Sequence, residues 1–244
     1  MDASVNRVIP GQRPARLADP VVADVIARVV SAELEPGSLL PAEGELVATY
    51  GVSRGTLREA IKSLETKGIV HAHQGRGTVI LARSRWRLLD PMVLSACIEH
   101  DASQVMFRNL TSVRIAIESE LSRSAATNIT SDQLQQMSAL IGEMKRTRTD
   151  PARYLELDIA FHAAIADASG NDIAQAIMSA IEEPSRSMRR ISNRIPKGIA
   201  TATEFHLRIY ECLSTGDADA AAAAMTEHLL WSRDHLDSAP KRAR

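Results

Sequence analysis

The chain has 244 residues, 45% of them apolar and 3% aromatic, which is enough for two domains with packed cores and too much for a disordered chain. A net charge of −1 excludes a general polyanion binder, so any contact with nucleic acid must come from a local basic surface. The two cysteines, Cys97 and Cys212, form no CxxC pair, and no apolar run approaches the ~20 residues of a membrane span; with no signal core at the start, a cytoplasmic protein without a membrane partner is expected.

Residues 1–18 are polar, with Pro10, Pro14, Arg7, Arg13 and Arg16, and are expected as a flexible N-terminal arm. Asp19-Pro20 is a good helix start, and Val22, Ile26, Val29 and Val30 follow as one apolar stripe up to Pro36-Gly37. A second helix is expected from Glu43 to Tyr50, ending at Gly51, with Val52 packing the turn. Ser53 then caps a third helix, in which Leu57, Ala60, Ile61 and Leu64 form the buried stripe and Gly68 the stop. Arg58 and Lys62 fall on its outer face and Arg54 in its first turn, where a helix N-terminus suits phosphate oxygens and guanine edges.

After Gly68 the period changes from helical to extended. Ile69-Val70 and Thr78 to Leu81 read as strands, joined by a turn at His73-Gln74-Gly75-Arg76-Gly77. A glycine-flanked arginine at a hairpin tip suits a minor-groove or backbone probe. Between Val52 and Arg87 stand eight Lys and Arg against Glu59 and Glu65, so the positive charge is local. Helix, tight turn, basic helix and basic hairpin make residues 19–82 a winged helix-turn-helix that reads double-stranded DNA.

Residues 83–96 are expected as a linker. Trp86, Leu88, Leu89, Met92, Val93 and Leu94 make it apolar enough to pack on the second domain or across a dimer. Residues 97–237 carry helical periodicity throughout, in segments near 103–127, 131–147, 151–169, 172–192, 200–214 and 217–236, with a short tail at 238–244. The fold class is therefore mainly α: a winged helix-turn-helix with a small β-hairpin wing, then an all-α bundle.

Ligand-type residues fall on inner faces of that bundle. Asp158 and His162 are four apart and share a face with Leu155, Phe161 and Ile165; His206 sits with Ile209 and Leu213, and His228 with Ala221, Ala224 and Met225. Each buried histidine can be a hydrogen-bonded core residue. Together, three imidazoles and one carboxylate suit a divalent transition metal, Zn first, with Ni, Mn or Fe as the others.

The stretch LLPAEGELVATYGVSRGTLREAIKSLETKGIVHAHQGRGTVI resembles the N-terminal domain of the GntR family of bacterial transcription regulators. The resemblance rests on the Leu-Pro-Ala-Glu start, Gly-Val-Ser-Arg, Arg-Glu-Ala and the Gly-x-Gly-Thr wing. It implies that Ser53, Arg54, Thr56 and Arg58 contact DNA, together with Gln74, Gly75 and Arg76 at the wing tip. One departure is Gly44, where the family usually carries a DNA-contacting arginine. The 83–96 joint resembles the Trp-x-Leu-Leu-Asp-Pro-x-Val-Leu joint of a branch with sugar-acid-responsive members.

The bundle resembles the FCD ligand-binding domain of the FadR-type branch. Its Asp-x-x-x-His pattern fits Asp158 and His162, His206 lies ten before Gly216, and His228 lies eleven after Asp217, so all four metal positions are filled. Arg114 and Glu118 match the family's Val-Arg-x-x-x-Glu, whose arginine can hold an acid; an ordinary helix ion pair is the other reading. Asn171 is expected to cap a helix or reach the pocket; Arg186, Arg189, Arg190 and Arg194 form a basic run near Pro184 that is expected as a solvated face, with a place at the pocket mouth as the other reading. The resemblance implies a metal-containing repressor, a homodimer on a palindromic operator, released by a small carboxylate such as a sugar acid. A metal-dependent enzyme and a DNA binder with a purely structural metal are the rival classes; no inward nucleophile or further general base supports the enzyme.

Overall fold

A computed structural model describes residues 17–73, 75–100 and 104–235. The chain divides into two compact units between Arg87 and Leu88. Most of the expected arm, Gln74 at the wing tip and the C-terminal tail lie outside the described residues.

The first unit holds three helices and one hairpin: α1 (Asp19–Val30), α2 (Glu43–Tyr50), α3 (Arg54–Thr66), β1 (Val70–His73) and β2 (Gly77–Ile80). Helix α1 buries Val21, Val22, Val25, Ile26 and Val29 against α3, which contributes Leu57, Ala60 and Leu64. Ile61 is only half-buried, at the edge of that stripe. Helix α2 stops at Gly51, whose φ of 62° ends it in the left-handed region. Two residues later Ser53 caps α3 by accepting a hydrogen bond from the Thr56 backbone N–H at 3.1 Å. The strands pair antiparallel with Val70 opposite Ile80 and His73 opposite Gly77, and Leu39 bridges Val79 on the hairpin's other edge.

The first part of the expected linker belongs to this unit. A 3₁₀ turn at Arg83–Arg85 brings Trp86 back, so that its indole N–H donates to the Leu81 carbonyl at 3.1 Å. The Arg87 N–H donates to Lys67 at 2.9 Å. Gly68 makes this return path fit: its φ is 71°, and a Cβ there would lie 2.1 Å from the Arg85 carbonyl oxygen.

The second unit is all helical among the described residues: α4 (Pro91–His100), α5 (Val105–Asn128), α6 (Ser131–Arg146), α7 (Pro151–Ser169), α8 (Asp172–Ala180), α9 (Glu182–Ser192), α10 (Gly198–Ser214) and α11 (Ala218–Asp234). Part of the stretch expected as linker is thus helix α4, which buries Val93, Leu94, Cys97 and Ile98 and packs on α9. Long α5 runs along α11 and α7, with α6 and α10 completing a core around Leu121, Met137, Met144, Phe161, Ile209 and Met225. Polar caps set the starts. Thr130 and Gln133 form a reciprocal capping box for α6, Asp150 caps α7 ahead of Pro151, and Asp217 caps α11.

The segment expected as one helix over 172–192 is two. The break falls at Ile181, and Pro184 stands in the first turn of α9, where a missing N–H costs nothing. Among the described residues no helix is long and apolar enough to cross a membrane.

Candidate functional site

The reader carries its polar residues outward. Arg54, Arg58, Gly75 and Arg76 are exposed, and Thr56 is half-buried. Ser53 uses its hydroxyl oxygen for the cap and lies 2.9 Å from the Thr56 hydroxyl. Arg58 Nε reaches the Glu43 carboxylate at 3.1 Å, an exposed pair that solvent screens and a phosphate could displace at little cost. Gly44 is exposed, and a Cβ there would meet nothing within 4 Å, so an arginine side chain would be accommodated. Gly75 has a φ of 75°, which shapes the wing turn next to Arg76.

The bundle carries its polar residues inward. Helix α7 supplies Asp158 and His162 one turn apart, α10 supplies His206, and α11 supplies His228; all four are buried, His206 completely. One ligand-type atom from each lies within 4.8 Å of the others. Bonds of about 2.1 Å put opposite ligands of a transition metal about 4.2 Å apart, so small side-chain shifts close the set around an ion. His206 Nε2 is 3.2 Å and His162 Nε2 4.0 Å from Asp158 Oδ1. The three imidazole centroids are 4.7–5.5 Å apart.

Donor chemistry tests whether an ion fits. His162 Nε2, His206 Nδ1 and His228 Nδ1 are buried and have no hydrogen-bond partner, and His206 Nε2 meets only the Asp158 carboxylate. Unpaired buried nitrogens are costly, and an ion would satisfy one on each ring. On the far side of His162, Nδ1 is 2.5 Å from Glu118 Oε2. A carboxylate on one imidazole nitrogen fixes the tautomer and aims the other, the arrangement that supports a metal-bound histidine. The residues present therefore fit a divalent metal.

Charge is balanced in pairs. Arg114 Nε contacts Glu118 Oε1 at 2.6 Å, and Arg189 Nε contacts Asp158 Oδ2 at 2.5 Å, all four side chains being buried. Burial alone would raise the Glu118 carboxyl, but Arg114, His162 and Arg189 hold it well below the usual carboxylate range. Burial opposes Asp158 in the same way, and Arg189, then His206 and His162, keep it ionised. Burial pushes His162 down to about 4 against the pull of Glu118, and burial with the neighbouring His206 and His162 rings pushes His228 well below its ordinary value. Neutral imidazoles beside ionised carboxylates are the protonation states a metal needs.

A cavity of about 190 Å³ opens beside this centre, with Glu118, His162, Ser185, Arg189 and Met225 in its wall. The basic run is not a solvated face: Arg186 pairs with Glu156, Arg189 with Asp158, and Arg190 with Glu99 at 3.3 Å, while Arg194 is exposed. Arg189, 8% exposed, is the member of that run that reaches the cavity wall, which the spacing did not single out. Arg114 lies behind Glu118 as its ion partner rather than in the cavity wall, and Asn171 caps α8 by accepting from the Ala174 N–H at 3.0 Å.

A basic helix and wing, joined in one chain to a bundle with a polar inner chamber, define the class: a DNA-binding regulator. The family model "Bacterial regulatory proteins, gntR family" matches residues 17–80, and the "FCD domain" model matches residues 109–230. The galactonate operon transcriptional repressor of Escherichia coli is 28% identical over 84% of this chain and 90% of its own length. The putative L-lactate dehydrogenase operon regulatory protein of Escherichia coli is 31% identical, covering 88% and 84%. LutR of Bacillus subtilis, a helix-turn-helix transcriptional regulator, is 31% identical, covering 85% and 95%. A solved structure of Lar, which controls expression of the Listeria monocytogenes agr system, shares the fold with a TM-score of 0.58 at 20% identity, over 93% of this chain and 99% of that one. This chain belongs to the GntR family of bacterial transcriptional regulators, in the FadR-type branch that carries an FCD domain. The matched domains and named relatives are regulators, not enzymes.

Proposed function

We propose that this regulator is a repressor that binds a palindromic operator as a homodimer, holds a divalent metal in its bundle, and releases DNA when a small carboxylate enters the cavity. The observation that carries the reading is the convergence of Asp158, His162, His206 and His228 beside that cavity, with unpaired imidazole nitrogens and Glu118 behind His162. Asp158 and the three histidines would hold the ion, Zn²⁺ by preference for this donor set. The ion would supply positive charge and coordination positions open to an anion.

Charge accounting points to an acid. With neutral imidazoles, Glu118 and Asp158 are cancelled by Arg114 and Arg189. A divalent ion then leaves two uncompensated positive charges in a buried site, of which a carboxylate ligand neutralises one and a dicarboxylate both. Names among the relatives agree, since galactonate and lactate are both hydroxy acids.

In the reader, Arg54, Thr56 and Arg58 on α3 and Gly75 and Arg76 at the wing are the proposed DNA contacts, with Ser53 fixing the start of α3. One such reader offers few base contacts, so two copies on a two-fold operator are proposed. Val105 and Val113 on α5 and Ile173 and Ile177 on α8 are exposed apolar side chains on two helices that pack together, and they are candidates for contact with the second copy.

Thermal unfolding of metal-loaded and chelator-stripped protein, with a panel of sugar acids, hydroxy acids and dicarboxylates, tests the reading. An acid at a hundredfold its dissociation constant adds about 2.7 kcal/mol. A shift that requires metal, together with weaker operator binding in a fluorescence anisotropy titration, supports it. Stabilisation by metal and by no acid leaves a structural metal; no effect of metal rejects the four-ligand centre.

A further inference from the structure

Helix α9 turns two polar side chains into the cavity. Ser185 and Arg189 are one turn apart, so they share a face, and both line the wall. Ser185 is 1% exposed and its hydroxyl has no hydrogen-bond partner. A buried hydroxyl left unpaired is a loss that an occupant with a matching polar group recovers. Arg189 is a cation in the same wall, paired through Nε with Oδ2 of Asp158, while Oδ1 of Asp158 faces the histidines.

We propose that Ser185 and Arg189 are the specificity-determining residues of the cavity: Arg189 takes the carboxylate of the occupant, and Ser185 reads a hydroxyl on the carbon beside it. The inference rests on the metal-and-acid reading above and adds the residues that choose the acid. Asp158 is shared between two cations. An ion drawing on Oδ1 weakens the hold of Oδ2 on Arg189, because the same carboxylate charge then serves both. The guanidinium is left with unshared charge facing the cavity, and a carboxylate there restores a charge-assisted pair. Metal and acid therefore bind with mutual reinforcement, each favouring the other by the same factor. Arg114 differs, since its Nε stays on Glu118, which the metal does not engage directly.

Calorimetric titration at saturating Zn²⁺ separates these roles, with lactate and propionate as probes that differ by one hydroxyl. Wild type is expected to prefer lactate. Arg189→Gln weakens both acids by about thirtyfold while Zn²⁺ still binds, the size expected for a lost charge-assisted hydrogen bond. Arg189→Lys, which keeps the charge and the fold-stabilising pair with Asp158, gives a partial loss. Ser185→Ala weakens lactate by about tenfold and leaves propionate unchanged. Variants that bind Zn²⁺ and retain wild-type affinity for both acids overturn the inference while the metal-and-acid reading stands. Equal weakening of lactate and propionate by Ser185→Ala overturns the part assigned to Ser185. A wild-type protein that binds Zn²⁺ and neither probe overturns this inference, while the acid panel decides the reading it rests on.

Discussion

In the reader the working side chains stand outside a small apolar core; in the bundle they replace part of the core. Arg54, Arg58 and Arg76 are exposed, and the buried residues of α3, Leu57, Ala60 and Leu64, are purely apolar. In the bundle, Asp158, His162, His206, His228, Glu118, Arg114 and Arg189 are all buried among Phe161, Met225 and their neighbours. A surface site can be altered without disturbing the fold that presents it. An interior site cannot, because each polar group is the partner of another and removing one strands the next. Function and stability should therefore be separable in the first unit and linked in the second.

Glu118→Gln should break the second unit most. It removes the charge opposite Arg114 and leaves one acceptor oxygen where two partners, Arg114 and His162, each had one; loss of one partner of a buried pair costs about 3–5 kcal/mol. Metal affinity should fall about tenfold to a hundredfold as well. Urea unfolding and a Zn²⁺ competition titration measure both; a variant as stable as wild type would remove the linkage. The two tryptophans assist here, because Trp86 belongs to the first unit and Trp231 to the second. Trp86→Phe and Trp231→Phe backgrounds let fluorescence report each unit separately.

Acid should act more strongly on the second unit, with the next largest effect. His162 is depressed from about 6.5 to about 4, so below pH 6.5 the unfolded chain takes a proton that the folded bundle refuses. Stability is full above about pH 6.5 and is lost as pH falls towards 4, by roughly 3 kcal/mol from this group. The depressed carboxyls of Glu118 and Asp158 lose stability in the same direction at lower pH. Apo-protein melts between pH 7.5 and 4.5 should show the Trp231 transition falling faster than the Trp86 transition. Parallel shifts would contradict the contrast.

In the reader, Arg54→Ala should weaken operator binding by about 1–3 kcal/mol if it reads a base edge, with stability changed by less than about 0.5 kcal/mol. Anisotropy and melting curves on the same sample test the separation. The smallest effect is a gain. Gly44→Arg fills open space on an exposed helix position, so it should add one phosphate contact and raise the salt slope of DNA binding by about one. An unchanged slope would place this helix position away from the DNA.

The same contrast explains what was legible in the sequence. The reader is built from adjacent residues, so cap, stripe, stop and hairpin follow one another and each has a local signal; Ser53, Gly51 and Gly68 all act locally. The four ligand-type residues were also legible, since helical spacing alone puts Asp158 and His162 on one face with Phe161 and aims His206 and His228 inward. Arg189 was not. Its place depends on the break at Ile181, which resets the phase of α9, and on the packing of α9 against α4 and α7. Helix α4 was hidden because an apolar joint and a buried helix have the same composition. Glu118 was visible as a partner for Arg114, but its contact with His162, 44 residues away, is tertiary.

The return path at Gly68 has a mechanical consequence. Trp86 and Arg87 are fastened to the reader, and the Asp90 carboxylate already accepts the Met92 and Val93 N–H groups at the start of α4. Only Leu88 and Leu89 remain between the two fastenings, a leash of about 7 Å at full stretch. A side chain at position 68 would push this return path off the reader and lengthen the free chain ahead of α4 beyond those two residues.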